Sequence, residues 1–379
     1  MSRYRYPCTG PVETEGFEHF LAGQLGPARG NLKAFAAELG GRFGAEHLAL
    51  VNSGSSANLA AALALAEDTG LGAHAITAGF TFPTTLSSLR TAGFSVTVVD
   101  TEPGGFCIDP EAVRRALRPD TRGVCVTHFL GFPAALEAVL EVAREHGLWV
   151  LQDACETMDL RVGGRPAHAW GTLATWSFYH PHHLSSFGGG AVVCPDAGWL
   201  RVVESVTHWG RECTCHYDPS ACTAPEGIHH NFHYVRSGHN LEMSELNACF
   251  GRFQLGQWEA HEARRRAHYA TLHAALRDVP GLRVYAAPVD NGSPFVFPFT
   301  LRSGRAEGLA RRLMERGVEV RTLMGGAITR QPAWKDVPHD GLVNCTALAE
   351  ASLFVGIHQT LRDEDVEAVA RILAEEVRR

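Results

Sequence analysis

Short apolar runs alternate with helical segments through much of the chain. Each run has the length and composition of a buried strand. The runs lie at residues 47–52, 74–78, 94–99, 123–128, 148–152, 172–179 and 190–194. Between them, helices are predicted from about Ala57 to Glu67 and over residues 134–146. Strands that alternate with helices favour a mostly parallel sheet covered on both faces, so the predicted fold class is α/β.

The rest of the chain is predicted to form a connector and a smaller domain. We expect a large domain over residues 1–245, a connecting helix over 246–278 and a small C-terminal α+β domain over 279–379. The large domain includes an irregular segment at 208–240 that is rich in cysteine and histidine. A loop of that length inside a compact domain is usually functional.

The charge balance gives no electrostatic reason to expect a nucleic-acid partner. The formal net charge is -7 and the isoelectric point is about 6.3. The longest apolar stretches are interrupted by glycine, proline, histidine or charge, which argues against a membrane span. The N-terminal residues lack the apolar core of a signal peptide. We therefore expect a cytoplasmic protein with neither nucleic acid nor membrane as a partner.

Two strand ends carry polar groups suited to binding a phosphorylated ring. The segment from Asn52 to Asn58 lies between a predicted strand and a helix, and it contains Ser53, Gly54, Ser55 and Ser56. Free backbone N–H groups at a helix start, with hydroxyls beside them, can bind phosphate. An ordinary helix cap with a glycine turn explains the same residues equally well.

Asp153 ends another buried strand, in the run Leu151-Gln152-Asp153. A carboxylate at that point can keep a pyridinium nitrogen protonated, which makes the ring an electron acceptor. Taken alone, the same residue is more often a helix cap at the end of a strand.

Three histidines lie within four residues, at 180, 182 and 183, just after the run that ends in Trp176-Ser177-Phe178-Tyr179. A histidine that titrates near neutral pH is a natural proton carrier. Single histidines are mostly structural, so the spacing alone does not decide the role.

In this order and at these separations, the motifs resemble the DegT/DnrJ/EryC1/StrS sugar aminotransferase family, which has the fold type I (aspartate aminotransferase-like) architecture. The resemblance covers nearly the whole chain and includes the segments 80–85, 238–245, 319–323 and 329–332. In that family a lysine binds pyridoxal phosphate five residues after the serine of the Ser-Phe motif. Here that serine is Ser177 and the fifth residue on is His182. The chain has two lysines, Lys33 and Lys335.

Histidine in the lysine position resembles the 3-dehydrase branch of the family, which deoxygenates C3 of nucleotide-linked 4-keto-6-deoxyhexoses. This resemblance implies pyridoxal or pyridoxamine phosphate as the cofactor and a homodimer with shared active sites. The implied roles are catalytic base for His182, phosphate binding for Ser55, Ser56 and Ser177, ring stacking for Phe82, pairing with the ring nitrogen for Asp153, proximity to the 3-hydroxyl for Glu156, and contact with the neighbouring subunit's cofactor phosphate for Asn240. His183, Arg330 and His358 are further candidates for substrate binding.

Four cysteines follow the pattern C-x57-C-x-C-x6-C, at Cys155, Cys213, Cys215 and Cys222. The pattern resembles the iron–sulfur members of the branch, of the ascarylose-type CDP-6-deoxy-4-hexulose 3-dehydrase, which carry a [2Fe-2S] cluster. Four thiolates satisfy one such cluster, and the resemblance implies an NAD(P)H-dependent flavin or iron–sulfur reductase as partner. A zinc site in the loop, completed by His216, His229 or His230, is the alternative.

The predicted function is removal of the hydroxyl next to the keto group of a 4-keto-6-deoxy sugar nucleotide or related keto sugar. The predicted cofactor is pyridoxamine phosphate, with His182 as base and the cluster relaying electrons. Open alternatives are a cluster-free pyridoxamine phosphate-dependent 3-dehydratase, a conventional aminotransferase that uses Lys33 or Lys335, and a non-catalytic or zinc-containing protein of the same fold. His239, Glu242 and Ala327 depart from the family pattern on the expected substrate side, so a substrate without a nucleotide also stays open.

Overall fold

The computed structural model describes residues 4–24, 30–213, 215, 222–287 and 294–379. Its helices are α1 (Phe17–Gln24), α2 (Gly30–Phe43), α3 (Gly54–Thr69), α4 (Pro83–Thr91), α5 (Pro110–Arg115), α6 (Leu136–His146), α7 (Ala197–Thr207), α8 (Glu245–Leu255), α9 (Trp258–Leu276), α10 (Ala306–Glu315), α11 (Val343–Ala351) and α12 (Asp363–Val377). Its strands are β1 (His47–Val51), β2 (His74–Ala78), β3 (Ser95–Val99), β4 (Thr121–Thr127), β5 (Trp149–Asp153), β6 (Arg161–Val162), β7 (Arg165–Pro166), β8 (Leu173–Ser177), β9 (Gly190–Cys194), β10 (Leu282–Val284), β11 (Phe297–Leu301), β12 (Arg321–Thr322) and β13 (Ser352–Val355).

The central sheet has seven strands in the order β1-β9-β8-β5-β4-β2-β3. Neighbouring strands run parallel except at β9, which is antiparallel to both β1 and β8. Every residue of β2, β5, β8 and β9 is buried, as expected when helices cover both faces of a sheet. The prediction of a mostly parallel α/β sheet is confirmed.

The sheet brings several candidate residues to one edge. β5 ends at Asp153 and β8 ends at Ser177, and these two parallel strands are direct neighbours. β1 runs in the same direction and leads into α3 through Asn52 and Ser53. The carboxyl ends of parallel strands are the usual place for a ligand in such a sheet.

The small domain is an antiparallel sheet in the order β10-β11-β13-β12, packed with α10, α11 and α12. Residues near the N-terminus join it: Tyr6 forms a parallel bridge with Val318 and belongs to the small domain's apolar core. The backbone N–H of Tyr6 donates to the Gly317 carbonyl oxygen at 2.9 Å. The segment around Tyr6 therefore packs with the small domain, although the predicted boundary placed it with the large one.

The connector is two helices, which corrects the single helix predicted over 246–278. α8 ends at Leu255, and α9 begins at Trp258 after Gly256 and Gln257. Glycine is a poor helix former, and it marks the break here. α9 has 19 residues and is the longest helix in the described part of the chain, yet within that part no helix is both long and apolar enough to cross a membrane.

Gly123 in β4 tests how tightly the central sheet is packed. A Cβ at this position would lie 1.9 Å from Cδ2 of Trp149 on the neighbouring strand β5. We expect Gly123→Ala to lower the free energy of unfolding by ~1–3 kcal/mol, because the buried indole must move. The measurement is urea denaturation followed by circular dichroism.

Gly41→Ala in α2 is the matched control, since a Cβ there meets no atom within 4 Å. It should leave stability unchanged or raise it by up to about 1 kcal/mol. Equal stability of the two variants would contradict the close packing described for Gly123.

Candidate active site

A glycine lets the start of α3 close onto the end of β8. A Cβ on Gly54 would lie 2.6 Å from Cβ of Ser177 and 3.1 Å from Sγ of Cys155. Ser53 caps α3, and its hydroxyl oxygen accepts from the Ser56 N–H at 3.0 Å. The first N–H groups of a helix lack intrahelical acceptors and favour an anion.

The serine hydroxyls surround this helix start. Ser55 Oγ donates to Thr84 Oγ1 at 2.9 Å, and Ser56 Oγ donates to Asn52 Oδ1 at 2.6 Å. Ser177 Oγ accepts from the backbone N–H of Tyr179 at 3.3 Å. The structure thus brings the predicted phosphate-binding serines to one edge, and it also shows the capping role that the sequence left open.

Asp153 is buried and held by three donors. Its Oδ2 accepts from Asn58 Nδ2 at 3.0 Å and from Thr85 Oγ1 at 2.5 Å, while its Oδ1 accepts from the Cys155 N–H at 3.2 Å. Asn58 Oδ1 in turn accepts from Thr175 Oγ1 at 2.6 Å, which orients the amide. These donors fix the orientation of the carboxyl group at the end of β5, where it can pair with a ring nitrogen.

His182 follows β8 with a defined tautomer. Its Nδ1 bonds the backbone carbonyl oxygen of Cys155. A carbonyl oxygen can only accept, so Nδ1 carries the proton, and Nε2 of the neutral ring, which has no hydrogen bond recorded to the described residues, has the lone pair of a base. Burial lowers the pKa of His182 to about 4, helped by Arg265 and opposed by the Cys155 hydrogen bond and by Asp153.

The pKa of Glu156 is shifted in the opposite direction to that of His182. Its side chain is buried, and Oε2 accepts from the Leu130 N–H at 2.6 Å. Burial, with a smaller contribution from Asp153, raises the pKa of Glu156 to about 8, although the Leu130 hydrogen bond opposes the shift. Leu130 has a φ of 56°, a left-handed conformation that non-glycine residues adopt rarely and that clusters at functional sites. The site thus holds a neutral imidazole and a protonated carboxyl group.

Phe82 and Asn240 are both exposed to solvent. Phe82 precedes α4 as its cap residue, and its side chain is 48% exposed. Asn240 is exposed and forms a bridge with His208, and the Leu241 carbonyl oxygen next to it accepts from the Asn52 N–H at 2.8 Å. Their predicted roles in ring stacking and in contact with a neighbouring subunit stay predictions.

A cavity of about 80 Å³ lies beside His182. His183 and His358 line it, as do Arg265 and Arg321, to which the sequence analysis gave no role. Arg330 is not among its lining residues: Nη1 of Arg330 pairs with Glu350 Oε1 at 2.9 Å in a separate surface groove. Within this chain, Arg330 is therefore not brought to His182.

The cysteine-rich segment brings four possible metal ligands together. The ligand atoms of Cys213, Cys215, Cys222 and His230 all lie within 4.8 Å of one another. Cys213 Sγ and Cys222 Sγ are 3.8 Å apart, and Cys215 Sγ is 3.0 Å from His230 Nδ1. Thiolates bound to one tetrahedral ion by ~2.3 Å bonds are about 3.8 Å apart.

Cys155 is not part of this group, which differs from the predicted four-cysteine set. It lies beside Asp153, and burial followed by the Asp153 charge raises the pKa of its thiol well above the usual range. His230 is the fourth member of the group. His216 lies outside the described residues.

Cys213 is suited to metal binding as a thiolate. Burial raises the pKa of its thiol, but hydrogen bonds from the backbone of Thr223 and Cys215 and from the neighbouring thiols outweigh that effect and lower the pKa to about 6. The thiolate is the form that binds metals.

The profile of the DegT/DnrJ/EryC1/StrS aminotransferase family matches residues 12–374. The chain belongs to this family. It is 32% identical over 371 residues to a dTDP-4-dehydro-2,6-dideoxy-D-glucose 3-dehydratase from Saccharopolyspora spinosa, covering 92% of this chain and 80% of that protein. It is 27% identical over 319 residues to a dTDP-3-amino-3,4,6-trideoxy-alpha-D-glucose transaminase from Streptomyces venezuelae. The match covers 84% of this chain and 78% of that protein.

Solved structures confirm the predicted fold type. The E. coli GDP-4-keto-6-deoxy-D-mannose-3-dehydratase, solved with bound hydrated pyridoxal phosphate, superposes with a TM-score of 0.88 at 21% identity. The match covers 98% of this chain and 100% of that one. The family and this fold support pyridoxal or pyridoxamine phosphate as the cofactor.

Gly54→Ala tests the closure of α3 onto β8. The added methyl group must push Ser177 away from the helix start, so we expect the dissociation constant for pyridoxamine phosphate to rise at least about tenfold. The measurement is a titration of cofactor absorbance or protein fluorescence. Gly23→Ala in α1, where a Cβ meets nothing within 4 Å, is the control, and equal affinity in both variants would contradict the closure.

Proposed function

We propose that the chain is a pyridoxamine phosphate-dependent 3-dehydratase of a 4-keto-6-deoxy sugar nucleotide or a related keto sugar. The observation that carries the proposal is the imidazole of His182, with its proton directed to the Cys155 carbonyl oxygen, at the point after β8 where the family has its lysine. Both lysines of the chain are solvent-exposed, Lys33 in α2 and Lys335 after Trp334, and neither lines the cavity beside His182.

The relatives support this class of reaction. They include both sugar dehydratases and sugar aminotransferases, so a pyridoxal phosphate-dependent enzyme that modifies sugars is the broader conclusion. An imidazole cannot form the covalent tether through which a conventional aminotransferase releases its product. His182 therefore favours hydroxyl loss over amination.

Different side chains of the proposed site bind the cofactor and transfer protons. When bound, the cofactor supplies an amine and an electron-accepting ring. Asp153 keeps the ring nitrogen protonated, and the start of α3 with Ser55 and Ser177 holds the phosphate. His182 Nε2 accepts a proton, while the protonated carboxyl group of Glu156 can donate one to a departing hydroxyl.

Net deoxygenation also needs two electrons from outside the sugar. We propose that Cys213, Cys215 and Cys222 hold a [2Fe-2S] cluster, with Cys155 or His230 as the fourth ligand, and that an NAD(P)H-dependent flavin or iron–sulfur reductase supplies the electrons. Thiolates and imidazoles both serve as ligands of such clusters. The 3.8 Å separation of Cys213 and Cys222 and the nearby His230 equally favour a single zinc ion, which is the competing proposal.

A homodimer is part of the proposal. The exposed large apolar side chains among the described residues include Tyr179, Phe187, Trp209, Phe232 and Tyr234. Exposed large apolar side chains are candidates for burial in a contact between subunits. A second copy would cover them and bring its Asn240 to this site.

His182→Asn tests the assigned base. The amide keeps a hydrogen-bonding group for the Cys155 carbonyl oxygen but cannot accept a proton, so we expect turnover to fall by at least ~10²-fold with cofactor affinity nearly unchanged. The measurement is hydroxyl loss from a keto-sugar nucleotide under anaerobic reducing conditions. Normal turnover in this variant would remove His182 from the mechanism.

His182→Lys is the complementary variant. It should form a covalent, borohydride-trappable bond with pyridoxal phosphate at residue 182, detected by mass spectrometry of the peptide. Trapping of wild-type protein at Lys33 or Lys335 would instead support a conventional aminotransferase.

Metal analysis of anaerobically purified protein tests the cysteine group. We expect about two irons and two acid-labile sulfides per chain, with broad visible absorption, and loss of both in Cys213→Ser. Cys155→Ser and His230→Ala identify the fourth ligand, because only the variant of the true ligand should lose the cluster. One zinc per chain without sulfide would contradict the iron–sulfur proposal.

A further inference from the structure

We propose that the cavity beside His182 contains an oxyanion-binding subsite centred on Arg265. The subsite would take a phosphate or carboxylate group of the reacting molecule. The inference rests on the proposed function only for the identity of that molecule, since the subsite itself follows from the residues that form it.

Arg265 is placed in the interior by its position on α9. The buried residues of this helix recur at helical spacing, at Trp258, His261, Arg265, His268, Tyr269, Leu272 and Leu276. The side chain of Arg265 therefore shares a face with core residues, and only 3% of the residue is exposed.

The guanidinium of Arg265 is incompletely bonded within the described residues. Its Nη2 donates to the Phe295 carbonyl oxygen at 3.0 Å, whereas its Nε is buried and has no hydrogen-bond partner among them. Within that same part of the chain, no carboxylate forms an ion pair with it. A guanidinium offers five donors, and a buried charge without a counterion is costly. The residue thus has the charge and the spare donors to bind an anion.

The adjacent arginines on α9 show the contrast. Arg264 Nη1 lies 3.3 Å from Asp363 Oδ1, and Arg266 Nη2 lies 2.6 Å from Glu262 Oε1. Both of these side chains have protein carboxylates as partners and are partly exposed. Only the buried arginine of the three lacks such a partner among the described residues.

The ionisable side chains that line the cavity favour binding of an anion. Its ionisable side chains, as far as the described part of the chain goes, are His180, His182, His183, Arg265, Arg321, His358 and the thiol of Cys8, with no aspartate or glutamate. Arg321 is already paired, since its Nη2 lies 2.9 Å from Glu319 Oε1. Arg265 is therefore the fixed cation with donors to spare, and a volume of about 80 Å³ accommodates one small oxyanion.

Phe295 connects the subsite to the catalytic base. Its carbonyl oxygen accepts from Arg265, and its ring centroid lies 5.2 Å from that of His182 and 5.7 Å from that of His183. Arg265 and the proposed base thus both contact Phe295 and line the same cavity. Two molecules offer an oxyanion: a nucleotide-linked sugar through its diphosphate, and a sugar acid or amino acid through its carboxylate.

Calorimetric titrations without turnover test the subsite and distinguish its ligands. The protein is titrated with pyrophosphate, with TDP and with L-glutamate, as wild type and as Arg265→Met, Arg265→Lys and Arg311→Met. We expect at least one probe to bind the wild type and its dissociation constant to rise at least about tenfold in Arg265→Met. Arg265→Lys should lose less, and Arg311→Met, an exposed arginine on α10, should match the wild type.

The outcomes separate the two sources of the anion. Binding of pyrophosphate and TDP alone indicates a diphosphate ligand, and binding of L-glutamate alone indicates a carboxylate. The same titrations on His182→Asn distinguish this proposal from the catalytic one, because a protein without turnover should still bind the anion. Equal affinity of wild type and Arg265→Met, or no binding of any probe, would overturn the subsite.

A crystal structure of wild-type protein with tungstate covers the case in which the arginine variants do not fold. Tungstate is an oxyanion with strong anomalous scattering. We expect a peak within hydrogen-bond distance of Arg265 Nε, and a peak elsewhere only would reject the assignment.

Discussion

The buried carboxylate of Asp153 links the elements that form the site. It ends β5, accepts from Asn58 in α3 and from Thr85 in α4, and is tied through Asn58 to Thr175 in β8. A buried polar group is tolerated only when its hydrogen-bonding atoms are satisfied, so the two helices must approach the strand ends as they do. The arrangement that fixes the carboxylate also directs the start of α3 toward Ser177.

Environment, rather than residue type, sets the protonation states in this site. His182 and Glu156 would both change charge if they were exposed: the imidazole would be partly protonated near neutrality and the carboxyl group ionised. Burial reverses both tendencies, which leaves both the proposed base and the proposed acid neutral. Titratable groups whose environments move their pKa values in opposite directions are typical of acid–base sites.

Much of the fold could be predicted from the sequence, whereas the residues that hydrogen-bond to and surround the site residues could not. The apolar runs predicted at 148–152 and 172–179 correspond to β5 and β8 to within two residues at each end, since buried strands have a clear local pattern. Asn58 and Thr85 gave no such signal, because their importance comes from a carboxylate 95 and 68 residues away in sequence. Arg265 lies in a run of three arginines, a pattern typical of a solvated helix face, and only the packing of α9 separates it from its neighbours. His230 was one of three alternatives that spacing could not rank.

The bridge between Tyr6 and Val318 has a consequence for how the molecule is assembled. The contact between Cys8 and Glu319 closes a loop of 311 residues, and the segment that follows Cys8 forms one wall of the cavity beside His182. During synthesis, residue 8 leaves the ribosome long before its partner exists, so this wall cannot form on the nascent large domain. Closing so long a loop is also slow, because its entropic cost precedes any contact energy. This wall of the cavity can therefore form only after the segment around Glu319 has been synthesised.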